Sequence, residues 1–188
     1  MRRLLRRPVT WVVASIALIG LVVGLLLFEP WRAVTSSRVD EALPAASTPE
    51  QQAPAPPPAE AQVPQAPPKP QPAAQPVVLA EGQFVSKEHE TSGVARVLML
   101  PDGARVLRLE NFATSDGPDV HVWLSAAAPA GPDGSFDDGR YVKLGEMKAT
   151  SGNQNYAIPA DADLAGLRSA VIWCDRFNVA FGAAPLSL

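Results

Sequence analysis

The 188-residue chain has one cysteine, Cys174, and only two histidines, His89 and His121. A lone thiol has no internal partner, so no disulfide staples the fold and no second cysteine can resolve one. Neither histidine has the short ligand spacing that makes a metal motif specific. A Gly-rich phosphate loop, a nucleophile elbow and a strong paired-carboxylate pattern are also missing, which leaves nothing on which to name a hydrolase. Beyond residue 76 no window longer than a turn or two has a helical apolar period, and no internal repeat is present. An excess of positive charge is lacking too. The chain carries a formal net charge of −3, and residues 77–188 hold nine Lys and Arg against fourteen Asp and Glu, a net of −5. A surface of that sign excludes nucleic acid as a partner.

What is present begins with a tether. Arg2, Arg3, Arg6 and Arg7 precede an uncharged run from Pro8 to Phe28 rich in Val, Leu and Ile. About 20 such residues at ~1.5 Å each match one bilayer core, and the run is longer than the ~7–15 residues of a cleaved signal core. Trp11 and Trp31 lie near its ends, where indole rings favour the headgroup region. The sequence therefore predicts a cytoplasmic basic segment over 1–8 and a transmembrane signal anchor over 9–28. The basic cluster keeps the N-terminus inside and sends the remainder out, as a single-pass protein of the cell membrane. Residues 29–76 read as an extracytoplasmic, disordered Ala/Pro-rich linker. From Leu43 to Pro76 it holds twelve of the twenty prolines and almost nothing large and apolar to bury. As a polyproline-type stalk it would reach roughly 100 Å.

Residues 77–188 have the size of one small domain with one core. Short β-prone runs alternate with turn signals: Val94–Leu100, Pro101-Asp-Gly, Ala104–Glu110, Val120–Ser125, Tyr141–Gly145, Asn155–Pro159, Ala170–Cys174 and Phe177–Phe181. In the third of these strands Val120, Val122 and Leu124 share one side, His121 and Trp123 the other. One helical turn is expected at Asp161–Leu167. The pattern predicts an all-β fold, a single sandwich or small barrel-like domain.

These segments carry a resemblance. Gly82-Gln-Phe, His89-Glu-Thr-Ser-Gly-Val-Ala, Leu107-Arg-Leu-Glu-Asn-Phe, Gly117-Pro-Asp-Val-His-Val-Trp-Leu-Ser, Leu144-Gly-Glu-Met-Lys, Gly152-Asn-Gln-Asn-Tyr-Ala-Ile-Pro and Val171-Ile-Trp-Cys-Asp-Arg-Phe-Asn-Val-Ala-Phe-Gly occur in this order. Over Glu81 to Leu186 the chain resembles the DM-thirteen domain family, the electron-transfer domain found beside haem-binding DOMON domains in Skeletor-type proteins. The resemblance implies a β-rich extracytoplasmic domain whose single cysteine is redox-active.

Two readings of Cys174 stand side by side. A reactive thiol needs positive charge nearby and access to solvent, and Arg176 lies on the same side if the strand runs on regularly. A free cysteine in a core strand is otherwise a small hydrophobe. With Cys174, His89 and His121 could supply a sulfur and two nitrogens to a transition metal, or an axial ligand to haem. Met99 and Met147 are softer candidates for which packing is the ordinary role. Asp133, Asp137 and Asp138 lack EF-hand spacing and read as a solvated hairpin loop. The expected function is thus electron transfer through Cys174, by one-electron or thiol exchange with an outside redox protein, envelope component or cofactor. The alternatives are a non-catalytic binding module with a structural cysteine, and a thiol that links chains.

Overall fold

The computed structural model describes residues 8–28, 35–44 and 75–188 apart from 133. Arg2, Trp31, most of the proline tract and Asp133 therefore lie outside the described residues. Helix α1, Pro8–Phe28, is 21 residues long with no acidic residue in its first turn and no basic one in its last. Its described large apolar side chains, from Trp11 to Leu26, stand exposed on every side. Side chains are described only from Thr10 to Leu26, and over that shorter stretch no helix is long and apolar enough to cross a membrane.

The remainder is β: β1 (Arg38–Asp40), β2 (Val77–Gln83), β3 (Val85–Ser86), β4 (Ser92–Met99), β5 (Arg105–Ala113), β6 (Val120–Ser125), β7 (Tyr141–Glu146), β8 (Ser151–Ile158), β9 (Ser169–Cys174) and β10 (Val179–Pro185). Two five-stranded sheets form, in the orders β1-β8-β5-β4-β2 and β3-β10-β9-β6-β7. The fold is a β-sandwich. Its core is the alternating set that each strand turns inward: Ala95 and Val97, Leu107 and Leu109, Val120, Val122 and Leu124, Ala170, Ile172 and Cys174. Gln154 is the polar member. It is buried, donates to the Ala149 carbonyl at 2.8 Å and accepts from the Tyr156 hydroxyl at 2.5 Å. Burial, the first cause, pushes the Tyr156 phenol up to about 12, the Lys148 N–H it accepts opposing that rise.

Several expectations shift. Residues 161–167 form turns instead of a helical turn, because Asp163 caps the Ala165 N–H within a tight loop. Residues 126–140 are not simply a solvated hairpin loop. Phe136 is fully buried and plugs this segment onto the outer face of the second sheet, beside Trp173. That cover makes β9 buried along its whole length.

The largest shift concerns the linker. Within residues 29–76, β1 pairs in parallel with β8, Arg38 opposite Ser151 and Asp40 opposite Asn153. Polar bonds hold it there. Asp40 accepts from the Asn153 backbone and side chain at 3.1 Å, and Ser37 exchanges hydrogen bonds with Thr150. Glu41 accepts from the Asn155 N–H at 2.6 Å and from Lys148 at 2.8 Å. The sandwich thus takes in residues 35–44, and the proline tract joins two strands of one sheet, β1 at one edge and β2 at the other. It is not a plain spacer between α1 and the first strand of the domain.

Burial pushes the Glu41 carboxyl up, but the hydrogen bonds from Lys148 and Asn155 and the charges of Lys148 and Arg108 outweigh it and hold the group below its ordinary 4.5. A depressed folded value means that the contribution is complete above the unfolded value and is lost as pH falls through the folded one. Protection of the amides of 151–155, corrected for the slowing of intrinsic exchange in acid, is expected to fall in the wild type as pH drops through the lowered Glu41 value, ahead of global unfolding. A Glu41→Gln variant should show faster exchange there already at neutral pH; equal protection in both would refute the role given to this carboxylate.

Candidate functional site

Cys174 ends β9, with Val120 of β6 and Val179 of β10 as its cross-strand neighbours. Its sulfur points into the core between the sheets and is 0% exposed. Strand geometry ends there. Residues 175–178 make the turn into β10, with Asn178 at a left-handed φ of 54°. The regular strand that would have set Arg176 beside the thiol is absent.

Alternation sends the neighbours of Cys174 the opposite way. Trp173 lies on the outer face of the second sheet, its ring 5.0 Å from that of Trp123, which stacks in turn on Tyr141 at 4.6 Å and 9°. The Trp123 indole N–H is buried without a hydrogen-bond partner, so stacking and packing orient this ring. Lys143 lies 4.6 Å over the same ring. Tyr141, 38% exposed, brings the stack to the surface.

At the end of this face three further groups meet. His121 Nε2 is 2.9 Å from an Asp119 carboxylate oxygen and 3.6 Å from one of Asp175. Lys143 binds the same Asp175 oxygen at 3.0 Å. Among the described residues this is the one set of three His, Cys, Asp or Glu whose ligand atoms all lie within 4.8 Å. A cavity of about 200 Å³ adjoins it, lined by Asp116, Asp119, Glu146 and Met147 among others.

His89 lies elsewhere. Its ring packs 3.8 Å from that of Phe181, and Nδ1 shares a hydrogen bond with the Ser115 hydroxyl at 2.8 Å. The structure does not bring Cys174, His89 and His121 together as one donor set; only His121 joins a cluster. Asp119 and Asp175 were missed in the sequence. Their separation becomes contact only through the β6–β9 pairing, and the sole local signal was an Asp-x-His at a strand start with an Asp after the apolar run.

The family model Electron transfer DM13 matches residues 83–186. The chain belongs to the Electron transfer DM13 family. No curated protein and no solved structure matches it. The DM13 match takes in β3 to β10, with Cys174, both histidines and the aromatic stack, and it leaves out α1 and β1. The two strands at the edges of the first sheet, β1 and nearly all of β2, thus lie outside the matched residues, as α1 does.

Proposed function

We propose that this DM13 protein is a membrane-tethered, extracytoplasmic electron-transfer module in which Cys174 exchanges electrons and not bonds. The family match over residues 83–186 carries the electron-transfer class. Burial of the sulfur gives the form of the chemistry. A thiolate from another protein cannot reach a 0% exposed sulfur for in-line attack, so disulfide exchange and chain-to-chain linkage are not open to the folded domain. Loss of one electron to an outside one-electron acceptor requires no such approach, and the thiol proton leaves to water during a rare local opening at the end of β9. Trp173, the residue before Cys174, starts a stack of rings that ends at the half-exposed Tyr141. The tether reading is supported by the length of α1, whose 21 residues make about 31 Å of helix. Four arginines on its N-terminal side favour an inside N-terminus.

Full burial also favours a second reading, a binding module whose cysteine only packs. The full chain in detergent micelles distinguishes them. Iodoacetamide is expected to label Cys174 on the order of 100-fold more slowly in the folded state than in denaturant. Voltammetry should then show a one-electron wave in the wild type that is absent in Cys174→Ala and weakened in Trp123→Phe. An identical wave in Cys174→Ala would assign the thiol to packing.

A further inference from the structure

The cluster beside the aromatic stack has a donor set that its own hydrogen bonding does not use up. Asp119 precedes β6, His121 is the second residue of β6, and Asp175 follows β9. The ladder fixes their spacing. Val120 pairs with Cys174, and the Asp175 N–H donates to the Asp119 carbonyl at 3.0 Å. Two carboxylates converge on one imidazole nitrogen, which can present a single proton. Asp119 at 2.9 Å takes it, and Asp175 at 3.6 Å turns to Lys143. Three ligand atoms within 4.8 Å already have the spread of a coordination sphere.

We infer that Asp119, His121 and Asp175 bind one divalent transition-metal ion, through His121 Nε2 and one oxygen of each aspartate. One imidazole and two carboxylates suit a borderline cation, with Cu(II) the tightest of the first-row series and Zn(II) behind it. The ion replaces the shared proton at Nε2, and the imidazole binds neutral with its remaining proton on Nδ1. The ion also takes the Asp175 oxygen that Lys143 now holds at 3.0 Å, so the ammonium swings off that oxygen on its flexible stem and retains the Trp123 ring as its partner. The neighbouring cavity supplies room for the remaining ligand positions and draws cations in, since its three ionisable side chains are the carboxylates of Asp116, Asp119 and Glu146. This inference stands on the geometry of the cluster and does not need Cys174 to be redox-active.

Trp173 is the cross-strand partner of His121, which gives a local reporter. The full chain in detergent micelles is titrated with Cu(II) and with Zn(II) against a weak chelator, following tryptophan emission and, for Cu(II), electron paramagnetic resonance. One equivalent of Cu(II) should quench the emission and show hyperfine coupling from a single imidazole nitrogen. His121→Asn and, separately, Asp175→Asn should each weaken binding at least about tenfold, with folding checked by circular dichroism. His89→Asn should bind like the wild type. Binding unchanged in the folded Asp175→Asn or His121→Asn variant, or no saturable binding of either ion at micromolar concentration, overturns the site. Either result leaves the Cys174 voltammetry as an independent test of electron transfer.

Discussion

Replacing Trp173 with Ala is expected to cost about 3–5 kcal/mol of folding stability, of a total that for a domain of this size is about 5–15 kcal/mol. The ring is 1% exposed and lies between Trp123 at 5.0 Å and Phe136 at 6.4 Å, over Ala180 and Ala183. Its loss opens a cavity under residues 126–140, whose only fully buried anchor among the described residues is Phe136. Calorimetry should record a fall in Tm on the order of 15 °C. Trp173→Phe keeps part of the stack and should cost roughly 1–2 kcal/mol. Because Cys174 faces the other side of β9, its alkylation in Trp173→Ala should stay slow at temperatures well below the lowered Tm. Fast labelling there would show that the outer face and the inter-sheet core do not melt separately. A Tm within about 3 °C of wild type would contradict the packing assigned to the ring.

The second large effect is expected at Gly152. Its φ is +102°, in the range that glycine alone enters without strain, and a Cβ there would fall on the Val39 carbonyl oxygen of β1. Gly152→Val therefore adds backbone strain of about 1–3 kcal/mol and also evicts β1. With β1 go the bonds to Thr150, Asn153, Asn155 and Lys148, each worth roughly 0.5–1.5 kcal/mol net. Limited proteolysis should cut within 35–44 in the variant and spare it in the wild type. Combining Gly152→Val with removal of residues 35–44 separates the two causes: the clash disappears and only the strain remains. Fully additive costs would mean that β1 and Gly152 do not meet.

How far the fold was legible follows the forces involved. β6 was readable residue for residue and β9 to within one, because their apolar alternation reflects burial. The same alternation set Cys174 beside Ala170 and Ile172. In β5 the mixed parity of Val106 and Leu109 has a physical cause: Leu107 and Leu109 face the core, while Val106 and Arg108 are buried on the outer face, Arg108 bonding Glu110, Asn155 and the Glu41 carbonyl. β1 was illegible. Arg38-Val-Asp40 has no apolar pattern, it docks through polar side chains, and its partner lies 113 positions on in the chain. The candidate metal cluster was half legible: His121 was marked by its type, but Asp119 and Asp175 are joined only by strand pairing.

The position of β1 also fixes how this protein would carry tension. Only residues 29–37 lie between the end of α1 and β1, a reach of at most about 30 Å. A pull between α1 and the sandwich therefore loads the three-residue β1–β8 register first. Until that register gives way, the proline tract between β1 and β2 is shunted out of the line of force. Once it peels, the chain from 41 to 76 enters the connection between α1 and β2, so the β1–β8 pairing decides whether residues 29–37 alone or residues 29–76 link the helix to the sandwich.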